Sequence, residues 1–252
     1  MHARSRDYDL AGLAADPERL SPVVTFDRPF LGDLTGLAVV HLQCHIGADT
    51  ISLARLGGTV TGVDFSPSAL AVARDLATDA GVDVQWVESE LYAVPEVLGA
   101  DFDLVYTGVG ALNWLPDIAG WARVVAGLLR PGGRLYVRDA HPMLMTLYDG
   151  IEDDVLRVTL PYFEGHALRW VNEVTYTDGD PIASPEQYEW NHGLGETVQA
   201  VIDAGLQVTA LREHTELEWQ GLSQLVEGAD GKFRLAENQE RLPMMFTLEA
   251  RK

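Results

Sequence analysis

The sequence predicts an α/β fold, a mainly parallel sheet covered by helices on both faces. Three observations predict it. Short β-branched runs alternate with helical stretches through five strands, glycines punctuate the joins, and each strand ends on a polar residue: His41, Asp64, Glu88, Thr107 and Asp139. In such sheets ligands sit outside the carboxyl ends of the strands.

The first unit runs from Leu37 to Ala73. Val39 and Val40 enter a loop ending at Gly47, then Ile51, Leu53, Ala54 and Leu56 follow at helical spacing until Gly57–Gly58. Thr59–Val63 is the second strand and delivers Asp64. Backbone N–H groups at a helix N-terminus, with a carboxylate beside them for ribose hydroxyls, make an adenosine site. Ser66-Pro67 starts the next helix, which carries Ala69, Leu70, Val72, Ala73 and Leu76 and ends near Gly81. Val82–Val87 alternates as a strand and runs into Glu88–Tyr92. Asp103–Tyr106 is a buried strand opening onto Thr107-Gly108. Trp114–Leu129 reads as helix, closed by Arg130-Pro131-Gly132-Gly133, and Arg134–Asp139 is the fifth strand.

Outside this core the pattern is weaker. Asp9–Leu20 holds one or two helical turns, and Pro17, Pro22 and Pro29 interrupt any longer helix. Residues 143–192 break the strand–helix alternation and read as an antiparallel insertion, rich in aromatics (Tyr148, Tyr162, Phe163, Trp170, Tyr176), with turns at Gly165 and Asp178-Gly179-Asp180. It either caps an active site or shields core. Helix Gly193–Ala204, strand Leu206–Leu211, a turn at Gly228–Gly231 and strand Met244–Ala250 close the chain, the last two strands pairing antiparallel. One domain is expected over 1–252: an N-terminal lid (1–36), a cofactor core (37–142), a substrate cap (143–192) and the C-terminal part of the sheet (193–252).

Composition narrows the function. The 38 acidic residues against 18 basic ones give a net charge of −20, which disfavours nucleic acid and anionic membrane as partners. The only lysines, Lys232 and Lys252, lie late in the chain, which argues against Schiff-base chemistry. Cys44 is the single cysteine, the start MHARSRDYDL lacks the apolar core of a secretory leader, and no apolar run approaches ~18 residues, so a cytoplasmic protein is expected. A dinucleotide would want three glycines in the first loop, yet Gln43-Cys44-His45-Ile46-Gly47 has one. S-adenosylmethionine needs no pyrophosphate gap.

The segments VVHLQCHIGADT, VTGVDFS, WVESELY, DFDLVYTG and LLRPGGRLYV, in this order and spacing, resemble the class I S-adenosylmethionine-dependent methyltransferases over roughly residues 37–140. The resemblance implies a Rossmann-like seven-stranded sheet, strands 1–5 parallel and strand 7 antiparallel between 5 and 6, with S-adenosylmethionine as cofactor. By position, Gln43, Cys44, His45 and Gly47 should wrap the methionine part. Asp64 should bind the ribose diol, with Ser66 beside it, and Phe65 should pack on adenine. Glu90 should accept from the adenine amine, with the Leu91 N–H nearby, and Thr107 and Gly108 should lie under the sulfonium. The chain departs from the family at His41, where the first acid usually stands, and at Gln43 and His45, which replace two loop glycines. His41, Cys44 and His45 cannot converge on a metal from one strand end and a tight loop, so no metal is expected.

Several acceptors are disfavoured. Thr107-Gly108-Val109 stands where an Asn/Asp-Pro-Pro-aromatic loop would serve planar amines and DNA bases. Cys44 sits in the cofactor loop, away from any role as a covalent nucleophile, and Asp139 alone is no catechol-site carboxylate cluster. What remains is O- or N-methylation of a small organic acceptor by in-line displacement, in a monomer or homodimer. His141 and His192 are the candidate general bases, each alternatively a structural turn or cap residue. Tyr148, Tyr162, Trp170, Tyr188 and Trp190 should shape the pocket. The rival readings are non-methyl chemistry with the same cofactor, and a non-catalytic scaffold.

Overall fold

The computed structural model describes residues 9–147, 155–171 and 185–252. Tyr148, Tyr176 and the Asp178–Asp180 turn lie outside the described residues. The chain opens with α1 (Leu10–Ala15) and α2 (Pro22–Leu31). Ser21 caps α2 by accepting from the Val24 N–H, and Pro22 occupies the first helical position, where no N–H is needed. Pro29 does not end α2, contrary to the sequence reading. It sits in the last turn, where burial of Val24, Asp27 and Leu31 against the sheet outweighs one lost helical hydrogen bond.

The core then alternates strand and helix: β1 (Ala38–Leu42), α3 (Ala48–Arg55), β2 (Thr59–Asp64), α4 (Pro67–Asp79), β3 (Gln85–Glu88), α5 (Val94–Val97), β4 (Phe102–Thr107), α6 (Ile118–Leu128) and β5 (Leu129–Ala140). β5 starts at Leu129 and runs through residues 130–133, where the sequence predicts a turn, and two further boundaries differ for local reasons. β3 starts at Gln85 because Val82 N is used to close α4 onto the Ala77 carbonyl. The helix expected from Trp114 begins only at Ile118: Pro116 disfavours helical backbone before it, and Asp117 caps the new start through the Gly120 N–H. Residues 112–114 form a separate 3-10 turn.

After β5 come α7 (Pro142–Met145), the hairpin β6 (Leu168–Val171) and β7 (Glu186–Glu189), then α8 (Leu194–Asp203) and β8 (Gln207–His214). A second small hairpin, β9 (Leu225–Glu227) with β10 (Phe233–Leu235), turns at Gly228–Gly231 and precedes β11 (Met245–Arg251). The main sheet runs β3-β2-β1-β4-β5-β11-β8, parallel through β5, with β11 antiparallel to both neighbours. This is the Rossmann-like order implied by the resemblance.

Side chains alternate along each strand, so the two sheet faces differ. Val40, Leu42, Val105 and Val137 pack under α6 and α8 in a wholly apolar layer. On the other face, His41, Tyr106, Tyr136 and Arg138 are buried with Asp27 of α2. Asp27 accepts from Tyr106 Oη (2.5 Å), Tyr136 Oη (2.8 Å) and Arg138 Nε (2.6 Å), and Arg138 Nη1 also reaches Glu218 at 2.8 Å. The buried charges of Asp27 and Arg138 are thus paired with each other, as burial requires. The β9–β10 segment contributes Leu217, Leu222, Leu225 and Leu235 to a third cluster, against Leu144 and Leu147 around α7.

Candidate active site

The loop between β1 and α3 keeps the backbone of a glycine loop without its glycines. Gln43, His45 and Gly47 are all left-handed, at φ 55°, 51° and 81°. For residues with a side chain this conformation costs about 1–2 kcal/mol each. Hydrogen bonds from neighbouring strand ends hold it there. Cys44 N–H donates to the Val63 carbonyl (2.9 Å), His45 N–H to Asp64 Oδ2 (2.8 Å), and Gln43 Nε2 to the Ala111 carbonyl (3.0 Å). Gly47 could carry no side chain: a Cβ would stand 2.6 Å from the Trp86 ring and 2.8 Å from Ala73 Cβ.

Asp64 is fixed from both sides, its other oxygen accepting the Ser66 N–H at 2.9 Å. Each oxygen keeps a lone pair for a ligand hydroxyl. Phe65, beside it, is 72 % exposed at the rim. Glu90 lies at the surface end of the same edge and accepts from Tyr92 N–H at 2.8 Å, with Leu91 buried behind. Thr107 and Gly108 follow β4 opposite the loop. Cys44 is buried, and desolvation together with the Asp64 charge pushes its thiol up, so it is no nucleophile. Burial pushes His41 down to about 3, leaving a neutral imidazole whose Nδ1 lies 2.8 Å from Thr50 Oγ1.

Two buried polar atoms in this cradle have no partner, Gln43 Oε1 and Thr107 Oγ1. Orphaned polar atoms at strand ends suit a ligand with polar groups of its own. The adenosine face and the orphaned atoms together fit a nucleoside with a polar tail.

Residues 40–135 match a family model described as a methyltransferase domain. Residues 40–135 thus carry a methyltransferase-like domain. Among similar proteins, the ubiquinone biosynthesis O-methyltransferase of Aeromonas salmonicida is 31 % identical over 134 residues, covering 53 % of this chain and 56 % of the relative. The demethylmenaquinone methyltransferase of Lactococcus lactis is 30 % identical over 146 residues, covering 52 % and 57 %. The chain thus matches little more than half the length of these relatives. In fold, it resembles the S-adenosylmethionine-dependent methyltransferase from Mesorhizobium loti, with a TM-score of 0.63 at 23 % identity over 96 % of this chain and 100 % of that one.

Asp139, near the end of β5, holds the loop after β4. Its carboxylate accepts four backbone N–H groups: Gly110 (2.6 Å), Ala111 (3.1 Å), Leu112 (2.8 Å) and Ala140 (2.7 Å). Burial raises its pKa while these bonds oppose the rise. Asp139 therefore shapes the loop after β4. Its place at a strand end was visible in the sequence, but not its four partners.

Beyond that loop a cleft is lined by Asn113, Asp139, Met145, Trp190, Asn191 and His192, among others. His192 is held at both nitrogens, Nε2 on the Leu115 carbonyl (2.7 Å) and Nδ1 on Glu164 (2.8 Å). A carbonyl only accepts, so Nε2 keeps its proton there. His141 caps α7, its Nδ1 accepting from Met143 N–H at 3.0 Å. Its Nε2 stands 3.0 Å from Glu213 without the alignment of a hydrogen bond, and burial lowers its pKa against the pull of Glu213. Of the aromatics, Trp190 lines the cleft. The Tyr162 hydroxyl accepts from Leu194 N–H at the start of α8, and Trp170 and Tyr188 bond Glu189 and Glu186 within the β6–β7 hairpin. Among the described residues, no group of three or more His, Cys, Asp or Glu is placed to hold a metal, and no helix is long and apolar enough to cross a membrane.

Proposed function

We propose that this chain transfers a methyl group from S-adenosylmethionine to a small organic acceptor, by O- or N-methylation. The observation that carries the reading is the shared loop 108–113. Its inner side meets the cofactor cradle through Gln43 and its outer side lines the cleft through Leu112 and Asn113. When bound, S-adenosylmethionine supplies an electrophilic methyl on a sulfonium. The chain's own contribution is to hold donor and acceptor in line, an effect worth up to ~7–11 kcal/mol. Trp190 offers a flat apolar wall to a ring, and Asn113 and Asn191 border it with polar groups. Relatives named for ubiquinone and menaquinone biosynthesis support a phenolic or quinol acceptor.

General-base catalysis by histidine ranks below alignment in this reading. His192 would have to give up Glu164 or the Leu115 carbonyl to take a proton, and His141 would have to release the α7 cap. A general base contributes ~10²–10⁴ in rate. The test is incubation with S-adenosylmethionine and panels of phenols, hydroquinones and amines, reading S-adenosylhomocysteine and methylated product by mass spectrometry. Product from a phenol, with turnover in His141→Ala and His192→Ala kept within about tenfold, is expected. Cofactor binding with no S-adenosylhomocysteine formed from any panel would sink the methyl-transfer reading. A loss of a thousandfold or more in either variant would restore a histidine base.

A further inference from the structure

The end of β1, the first turn of α3 and the start of the loop after β4 meet at Gly108. A Cβ built on Gly108 would stand 3.5 Å from Asp49 Oδ2 and 3.5 Å from His41 Nε2. The Gln43 head group is tied to Ala111 of the same loop through its nitrogen, which leaves Oε1 buried and unpartnered. The His41 ring beside Gly108 is neutral, its Nδ1 2.8 Å from Thr50 Oγ1. A half-buried carboxylate next to an uncharged ring makes a niche for a cation bearing N–H donors.

S-adenosylmethionine carries two cationic groups. Its sulfonium has no N–H to give, whereas its ammonium has three. Resting on the cofactor assignment, we propose that Asp49 is the carboxylate that receives the ammonium of the cofactor's amino-acid tail, in a chain whose strand-end position is the neutral His41. Asp49 lies in the first turn of α3, directly after the cofactor loop, and is half-buried. The groups facing it are Ser21, which hydrogen-bonds it, Asp27 of α2 and Glu218, which repel it, and Arg138 of β5, which attracts it. Arg138 is already spent on Asp27 and Glu218. Among the described residues, no cation pairs with Asp49, so the ligand would be its counter-ion. Without one, burial pushes its carboxyl up to about 6.

Calorimetry with two unreactive probes tests this. S-adenosylhomocysteine carries the ammonium tail, and 5′-methylthioadenosine has the same nucleoside and sulfur without it. Asp49→Asn should weaken S-adenosylhomocysteine about ten- to a hundredfold, the loss of a charge-assisted hydrogen bond. Methylthioadenosine should bind the variant within about twofold of wild type, which also reports that the cradle is intact. Wild-type affinity for S-adenosylhomocysteine should rise from about pH 5 to about pH 7.5 as Asp49 loses its proton, and Asp49→Asn should flatten that rise. His41 is neutral across this window. Equal loss of both probes, an unchanged S-adenosylhomocysteine affinity, or a pH dependence that survives Asp49→Asn would overturn the assignment of Asp49 alone. A wild-type protein that binds neither probe would overturn the cofactor site itself.

Discussion

On the cofactor side of the cleft, the fixing contacts run mainly between backbone and strand ends that are already neighbours in a parallel ladder. Cys44 bonds Val63, and His45 and Ser66 both bond Asp64. On the acceptor side, single side chains tie together loops with no ladder between them. Asn191 reaches the carbonyls of Pro142 and Pro161, and His192 reaches Leu115 and Glu164. The difference teaches that cofactor binding is inherited from the sheet, while the acceptor pocket is assembled from parts that change independently. Cofactor affinity and acceptor recognition should then be separable by mutation, except where one residue serves both.

Asp139 is that residue, and its loss should have the largest effect. Asp139→Ala leaves four N–H donors, two of them buried, without their acceptor. Hydrogen bonds to charged groups contribute about 1.5–3 kcal/mol each, so a loss of at least ~3 kcal/mol in urea unfolding is expected. The loop 108–113 would no longer hold one shape. S-adenosylhomocysteine binding and turnover should fall together, and a variant that kept either would show that the two sides are not joined through this loop.

The same contrast explains what could be read in the sequence. The core from Leu37 to His141 was legible because each element announces itself locally: a β-branched run, a glycine stop, Asp64 beside the Ser66-Pro67 helix start. α2 begins with the same signal, Ser21-Pro22, but Pro29 disguised its length. The cap was less legible because its contacts obey no period. Nothing near His192 in the chain points to Leu115. β9 and β10 span three residues each, too short for an alternating pattern to register. Their leucines are recognisable as core only once α7 lies against them. The spacing of Asp49 marks it as an ordinary first-turn helix acid, and nothing near it in the chain shows that Gly108, after β4, comes beside it.

Gly47→Ala should break the cofactor side alone, with the next largest effect. The variant needs a left-handed backbone, about 1–2 kcal/mol, and must push a methyl into the Trp86 ring, about 1–3 kcal/mol. Gln43 and His45 bear the first cost already, but the second belongs to Gly47, whose Cβ would meet Trp86 and Ala73 together. Unfolding by urea should show a loss of about 2–5 kcal/mol. S-adenosylhomocysteine affinity should fall while the KM for an acceptor stays near the wild-type value at saturating cofactor. Unaltered cofactor affinity would mean that the loop tolerates movement that the packing of Trp86 argues against.

Asn191→Ala is the matching cut on the acceptor side and should be the mildest. It removes two donors' worth of bonding, to Pro142 at 3.1 Å and Pro161 at 2.7 Å, from a side chain that is itself buried. Both carbonyls lose a partner, at about 1–2 kcal/mol in all. Because these segments are joined by side chains and not by a ladder, the loss should appear first as local opening. Hydrogen exchange should quicken around residues 142–147 and 191–194, with the sheet amides unchanged. S-adenosylhomocysteine should bind within about twofold of wild type, while the acceptor KM rises about tenfold, the equivalent of ~1.4 kcal/mol. If cofactor affinity fell in step with acceptor binding, the two sides of the cleft would be one cooperative unit, and the separation drawn from their different construction would be wrong.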